Sequence, residues 1–218
     1  TYDFCIQNDY SYSYLSYTGY LRAHALMQGY WNRVEQMGGD DNPYRAGFAQ
    51  VICVADTDKE AKELYWPHIN YFYTRCLHVH TGFADAPGYR TVNTIKAGAL
   101  SQFMPQTFDK IGTLSWEQLV EDRYIVAGSP DTVRQQMEEL IKNLRVGFVY
   151  CLLHIGDMPD EKVRHSSRLF AEKVAPHLKG IWKDSHADQR FWIQDQGQQP
   201  SARRGAAPAR APELVPAK

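Results

Sequence analysis

Histidine side chains offer the clearest chemistry in this sequence. His154 lies near the end of the apolar run Phe148–Ile155, which has no polar alternation. A histidine exchanges a proton near neutral pH, so His154 at a strand end can serve as a general acid or base. A single histidine among apolar residues also serves as a satisfied packing residue. The sequence leaves both interpretations open, and His154 is the predicted catalytic residue.

A second group of polar side chains alternates along the chain as Cys76, His78 and His80. This spacing suggests zinc, but no second pair of ligands stands at metal-binding spacing, and we therefore predict no metal site. The cysteines are scattered and indicate reduced thiols in a cytoplasmic protein rather than a disulfide framework. They are Cys5, Cys53, Cys76 and Cys151.

Residues 78–114 form a long stretch with several glycines and prolines. A connection of that length in a compact domain is usually a lid or a binding loop. Its apolar side chains can line a pocket for an apolar substrate, or they can simply pack the loop. The predicted substrate-binding residues are His78, Phe83, Phe103 and Met104.

The turn GSPD at residues 128–131 combines a possible phosphate site with a helix start. Ser129 can cap a helix, Pro130 suits its first position, and Asp131 suits the positive end of its dipole. The turn does not follow a glycine-rich strand end, so the sequence favours Ser129 as a simple helix cap.

These residues must be positioned by strands and helices in alternation. Apolar runs predict parallel strands covered on both faces, and apolar residues at helical spacing predict the helices between them. This order predicts an α/β fold. The predicted strands are Tyr10–Tyr17, Phe48–Ala55 and Phe148–Ile155. One predicted helix ends near Asp9, and another begins at Ser129. The other predicted helices are Leu21–Met37, Asp58–Leu77, Ser115–Glu121 and Asp160–Leu178. A Thr-x-x-Glu capping box at Thr57 and Glu60 marks the start of the second of these long helices.

Composition excludes some functions and divides the chain. The net charge of −1 and the pI near 6.7 give no field that would recruit nucleic acid. No run reaches the ~20 apolar residues that cross a bilayer, so we expect no membrane association. Residues 183–218 form a polar tail rich in Pro, Ala and Arg, and we predict that it is largely disordered.

Several segments, in the correct order, resemble the C-terminal part of the bacterial luciferase-like monooxygenase family. They are VADTDKEAKELY, YIVAGSPDTVRQQMEEL, VGFVYCLLHIGDMP, SSRLFAEKVAPHLK and HINYFYTRCLHVHTGFADAPGYRT. The resemblance covers residues 1–182, which we treat as one domain. The last of these segments is similar to the subgroup of flavin-dependent oxidoreductases related to alkane and limonene monooxygenases.

The resemblance implies a TIM (β/α)8 barrel, of which this chain would hold roughly the last three strand–helix units. It implies reduced FMN and oxygen as the oxidising system, a separate flavin reductase as partner, a small apolar organic substrate, and a homo-oligomer for the full-length protein. A deazaflavin-dependent hydride transfer on the same fold is the alternative.

The resemblance also assigns site residues. It implies that Ser16 and Tyr17 follow the sixth barrel strand at the catalytic mouth, and that Thr1 and Tyr2 lie at a helix start that binds the FMN phosphate. The family's first five strands have no counterpart here, so we expect this chain alone to be inactive. A non-catalytic binding or assembly subunit is the remaining interpretation.

Overall fold

The computed structural model describes residues 1–15, 19–77, 92 and 111–192 and contains a parallel sheet. Its strands are β1 Tyr12–Leu15, β2 Ala46–Val54, β3 Ile125–Gly128 and β4 Phe148–Leu152. Every strand pair in the described part is parallel and includes the central strand β2. Strands β1 and β4 both pair with Gly47, Phe48 and Ala49, so they lie on opposite edges of β2. β3 pairs further along, with Val51–Val54.

The parallel arrangement of the three predicted strands is confirmed, but their bounds differ. β1 and β4 are shorter than predicted, and β2 begins at Ala46. β3 was not predicted at all. It has only four residues, and its backbone depends on a side chain from outside the strand. The buried Gln136 accepts a hydrogen bond from the Ala127 N–H and donates one to the Ala127 carbonyl.

Helices connect these strands and flank the sheet. They are α1 Tyr2–Gln7, α2 Tyr20–Met37, α3 Asp58–Tyr71, α4 Trp116–Glu121, α5 Pro130–Leu144, α6 Asp160–Leu169, α7 Ala175–Leu178 and α8 Lys183–His186. π-helical turns extend α3 through Phe72–Cys76 and join α6 to α7 through Phe170–Val174. Short 3-10 turns cover Pro43–Arg45 and Gln189–Phe191. Among the described helices, none combines the length and the apolar character that crossing a bilayer requires.

The helix starts follow the local sequence closely. The Thr57 side chain accepts a hydrogen bond from the Glu60 N–H at the start of α3. Ser115 and Gln118 form a reciprocal capping box at α4. Ser129 caps α5, with Pro130 at its first position, as predicted. A side-chain cap needs only neighbouring residues, which explains why these starts were predictable.

The two faces of β2 belong to different hydrophobic clusters. Alternate residues of a strand point to opposite faces. The even-numbered Phe48, Ile52 and Val54 pack with α2, α5 and the π-turn after α6. The odd-numbered Val51 and Cys53 pack with α3, α4 and the segment after β4. Burial on both faces accounts for the nearly continuous apolar sequence of β2.

The sheet face that holds the odd-numbered residues of β2 is open in its amino-terminal half. Leu15 of β1 is 42% exposed and Tyr150 of β4 is 51% exposed. The Tyr150 and Ser13 hydroxyls approach to 3.5 Å, and Gly47 between them leaves the space that both side chains use. The prediction that the Phe148–Ile155 run is buried on both faces is therefore wrong for β4. No described element covers its Tyr150 side.

Aromatic side chains close the amino-terminal end of the sheet. Tyr44 contacts Phe148, Phe191 and Trp192, with ring centroids 5.3 Å, 5.8 Å and 5.2 Å away. Such edge-on and tilted ring contacts stabilise a core beyond simple burial. These contacts include Phe191 and Trp192, which lie within the segment predicted from the sequence as a tail. The rest of the predicted tail, residues 193–218, lies outside the described residues.

Gly147 provides a test of this packing. A methyl group at Gly147 would lie 2.7 Å from the Tyr44 Cα, whereas one at Gly180 would meet nothing within 4 Å. We expect Gly147→Ala to lower the free energy of unfolding by about 1–3 kcal/mol through overpacking. Urea unfolding followed by tryptophan fluorescence measures this, with Gly180→Ala as the matched control. Equal stability of the two variants would contradict the assignment.

Candidate functional site

The carboxyl-terminal edge of the sheet carries the side chains with chemical potential. Parallel strands present their carboxyl ends at one edge, and ligands of parallel α/β folds bind there. Asp56 follows β2, Ser129 follows β3 and His154 follows β4. The structure thus places these residues at the edge where a site is expected.

His154 is exposed and lies two residues beyond the end of β4. Within the described residues, its ring makes no hydrogen bond or ion pair. This exposure does not favour the packing role that the sequence left open. The imidazole can reach a ligand at this edge, although no described side chain orients it.

Thr1 precedes α1, and Tyr2 is the first residue of that helix. The Tyr2 hydroxyl donates a 2.8 Å hydrogen bond to the Leu26 carbonyl. Its ring packs edge-on against Tyr12, 5.2 Å between centroids. Tyr12 is the first residue of β1, whereas His154 follows the last residue of β4. Tyr2 is therefore engaged in packing towards the amino-terminal side of the sheet.

The other predicted site residues stay predictions. Ser16 and Tyr17, predicted for the cofactor, follow β1 but lie outside the described residues. The same is true of the predicted substrate-binding residues, which are His78, Phe83, Phe103 and Met104.

The GSPD turn caps α5, and the Asp58 carboxylate occupies the place at this helix start where an anion would bind. The Asp58 carboxylate accepts hydrogen bonds from the Ser129 N–H at 2.6 Å and from the Thr132 hydroxyl at 3.1 Å. Burial alone would raise the pKa of Asp58, but the hydrogen bonds from Ser129 and Thr132 outweigh it and hold that pKa below its ordinary value. A carboxylate at this helix start leaves no place for a phosphate.

Beyond the last residue pair between β2 and β4, two side chains form hydrogen bonds with the backbone of β2. The Val54 N–H donates a 2.9 Å hydrogen bond to the Ser166 hydroxyl of α6. The Val54 carbonyl accepts one of 2.8 Å from the Tyr65 hydroxyl of α3. All three residues are buried. Together they fix α3 and α6 on β2, and thereby the neighbouring polar side chains.

A cluster of Asp56, Glu60 and His165 lies beside this junction. Their carboxylate oxygens and imidazole nitrogen all fall within 4.8 Å of one another. His165 Nε2 is 3.3 Å from the Asp56 Oδ2. Sequence reasoning missed the cluster because His165 comes from a helix far along the chain, and only the parallel sheet brings it to Asp56.

A second polar chain links α3 to the segment after β4. Lys162 Nζ donates to the Leu64 carbonyl at 3.0 Å and lies 3.1 Å from His68 Nε2. His68 Nδ1 lies 2.7 Å from Asp157 Oδ1. The hydrogen bond with His68 lowers the pKa of Asp157. With Lys162 as donor to Nε2, the His68 ring donates from Nδ1, and the three side chains hold the two segments together.

The thiols near this edge are not nucleophiles. Burial raises the pKa of Cys53 to about 12 and that of Cys151 to about 11. Both stay protonated at neutral pH, and only a thiolate attacks an electrophile. Thiol chemistry at these two residues is thereby excluded, in agreement with the sequence interpretation.

Comparison with known proteins identifies the fold. A scan of protein-family models and a search of curated proteins found no match. Among solved structures, the chain is similar to the monooxygenase RslO1 from Streptomyces bottropensis, with a TM-score of 0.52 and 15% identity over 81% of this chain and 44% of that one. It is also similar to the oxygenating constituent of 3,6-diketocamphane monooxygenase from the CAM plasmid of Pseudomonas putida, a type II Baeyer-Villiger enzyme in complex with FMN. That match has a TM-score of 0.53 and 20% identity over 80% of this chain and 45% of the other.

The chain shares its fold with part of these monooxygenases. Its length corresponds to less than half of each matched structure. At such low identity the likeness concerns the fold alone, in line with the α/β class predicted from the sequence.

The Ser166 hydrogen bond is open to a direct test. Ser166→Ala leaves the buried Val54 N–H without an acceptor, and we expect a loss of about 1–3 kcal/mol in the free energy of unfolding. Ser167→Ala, one residue along on the same helix, is the control and should change stability by no more than about 0.5 kcal/mol. Urea unfolding measures both. A Ser166→Ala variant as stable as the control would show that the hydrogen bond contributes little.

Asp58 gives a pH-dependent prediction. Because its pKa is lowered by folding, its contribution to stability is fully present above the ordinary Asp pKa and is lost as the pH falls through the lowered value. Asp58→Ala should cost about 1 kcal/mol at neutral pH, and its difference from the parent should shrink in acid. Thermal unfolding across the acid range measures this. The control is Asp131→Ala, which removes an exposed carboxylate of the same turn, and a pH-independent Asp58→Ala effect would contradict the assignment.

Proposed function

We propose that this chain forms part of a flavin-dependent monooxygenase with a TIM-barrel fold. The observation that carries the proposal is the parallel fold around β2, which is similar over about four-fifths of this chain to two monooxygenase structures, one of them in complex with FMN. The substrate is proposed to be a small apolar organic molecule, and a separate flavin reductase is proposed to supply the reduced FMN.

The edges of the sheet support a larger barrel. Within the described residues, no strand pairs with the outer edge of β1 or of β4. An unpaired parallel strand exposes a row of backbone donors and acceptors that another strand can satisfy. In the proposed barrel, neighbouring strands cover both edges, and the open face with Leu15 and Tyr150 becomes part of the interior.

The starts of α3, α5 and α6 do not fit the FMN phosphate. Three of the helices that start at the carboxyl-terminal edge carry acidic residues, Asp58 and Glu60 in α3, Asp131 in α5, and Asp160 and Glu161 in α6, whereas α2 has none in its first turn. Carboxylates at these positions repel a phosphate instead of binding it. Helix α1, where Thr1 and Tyr2 were predicted to bind it, has only six residues, and its Tyr2 hydroxyl is already engaged.

The flavin is therefore proposed to be held mainly by residues outside the described part, with Ser16 and Tyr17 among them. His154 is proposed to face the flavin or the substrate and to move a proton there. FMN would supply the oxygen activation; the contribution of this chain is to form one wall of the site and to exclude water from it.

A binding or assembly subunit is the second candidate. The specific observation in its favour is the open face, where Leu15 and Tyr150 expose apolar surface beside Ser13. Such a patch can serve as an interface with another protein. This role requires neither FMN nor His154.

Flavin binding separates these candidates. FMN is titrated into this chain and into a version extended by the residues that its gene encodes before Thr1, with flavin fluorescence as the readout. We expect quenching with the extended protein and little with this chain. An extended protein that leaves FMN fluorescence unchanged at high concentration would favour the subunit, and binding of a deazaflavin in its place would favour hydride transfer.

His154 is tested in the extended protein, with a flavin reductase and a diketocamphane as the probe substrate. We expect His154→Ala to lower substrate-dependent oxygen uptake by about 10²–10⁴-fold, the usual contribution of a general acid or base. FMN binding should stay within the range of the parent. His177→Ala, which alters an exposed histidine near the end of the chain's last long helical segment, is the matched control. Equal rates for both variants would remove His154 from the mechanism.

A further inference from the structure

The side chains of Asp56, Glu60 and His165 meet at the carboxyl-terminal edge of the sheet. Asp56 follows β2, Glu60 lies in the first turn of α3, and His165 lies on α6. Their nearest ligand atoms, two carboxylate oxygens and one imidazole nitrogen, are all within 4.8 Å of one another. Neither the proposed flavin chemistry nor the hydrogen bonds that stabilise the fold use this cluster.

The His165 side chain is 37% exposed, but its Nε2 atom is buried. His165 Nε2 is shielded from solvent and has no hydrogen-bond partner among the described residues. It lies 3.3 Å from the Asp56 Oδ2, without the alignment that a hydrogen bond needs. A buried polar atom without a partner costs about 1–3 kcal/mol, so its persistence needs a reason. A cation between the nitrogen and the carboxylates would satisfy its lone pair.

Charge around the cluster also favours a cation. Among the described residues, neither Asp56 nor Glu60 forms an ion pair with a lysine or an arginine. The nearby lysines of α3 pair elsewhere, Lys59 with Glu63 and Lys62 with Glu117. Apart from the imidazole of His165, the two carboxylates therefore have no compensating positive charge among the described residues, and a divalent ion would provide one.

The ligands are held by a rigid framework. Ser166, next to His165, accepts the hydrogen bond from the Val54 N–H, and Tyr65 of α3 donates to the Val54 carbonyl. Both residues are fully buried. These contacts hold α3 and α6 on β2, the strand that Asp56 follows. Supporting hydrogen bonds of this kind orient the ligands in metal sites.

We propose that Asp56, Glu60 and His165 bind a divalent transition-metal ion of the zinc class. One imidazole nitrogen with two carboxylate oxygens suits zinc, which accepts three protein ligands and leaves its fourth position to water. Calcium and magnesium prefer oxygen ligands alone. A tetrahedral zinc ion with ligand distances of about 2.0–2.2 Å holds its ligand atoms roughly 3.4 Å apart, so atoms that now lie up to 4.8 Å apart must approach one another by up to about 1.4 Å. The bound ion links α3 to α6 and stabilises the carboxyl-terminal edge.

Zinc binding to this chain tests the proposal. The chain is treated with a chelator, dialysed, and titrated with ZnCl₂ by calorimetry; Co²⁺ absorption reports the ligand environment. We expect one zinc per chain and a rise in the thermal unfolding temperature with added zinc. His165→Ala, Asp56→Asn and Glu60→Gln should each weaken binding by about tenfold or more. The two amide variants preserve side-chain shape and keep the test valid if the alanine variant folds poorly.

Two control variants locate the ion. His177→Ala removes an exposed histidine, and Cys76→Ser removes the exposed thiol of the Cys76, His78 and His80 motif. Both should bind zinc like the parent. The proposal is overturned if the parent binds no zinc, if His165→Ala and the amide variants bind it with unchanged affinity, or if Cys76→Ser abolishes the binding. None of these results depends on FMN, so the test is independent of the proposed monooxygenase function.

Discussion

The structure depends on one strand that is buried on both faces and paired on both edges. β2 hydrogen-bonds to β1, β3 and β4, and its alternate side chains enter two separate hydrophobic clusters. Both faces need their cover, because removing it would expose apolar residues such as Ile52 on one face and Cys53 on the other. This constraint fixes where the helices lie, and it brings α3 and α6 to the same end of β2.

Part of the carboxyl-terminal edge is negatively charged. The starts of α3, α5 and α6 carry carboxylates, and Asp58 occupies the start of α5. The same negative character that argues against a phosphate at these helices favours a cation beside His165. An anionic cofactor and a metal ion would therefore occupy different parts of the edge, the cofactor towards the end of β1 and the ion beside α3 and α6. The two proposals are compatible for this reason.

The open face and the open edges both support the proposal that the sheet is part of a larger one. Ser13, Leu15 and Tyr150 lie on the same face as the odd-numbered residues of β2, near its amino-terminal end. Within the described residues, their strands pair with β2 and with no other strand. The matched monooxygenase structures are more than twice as long as the part that corresponds to this chain. In the proposed barrel, further strands pair with the open edges of β1 and β4, and the face with Leu15 and Tyr150 lies in the interior.

The sequence alone determined the features that depend on neighbouring residues. The caps at Thr57, Ser115 and Ser129, the apolar runs of β2 and β4, and the parallel α/β order all follow from local hydrogen bonds and from the periodicity of apolar residues. Tertiary structure alone decided the rest. β3 is held by Gln136, His165 meets Asp56 across the sheet, Asp58 fills the start of α5, and Tyr150 stays exposed within an apolar run. Each of these depends on residues distant in the sequence, whose approach is set by how the helices pack on β2 and not by any local pattern.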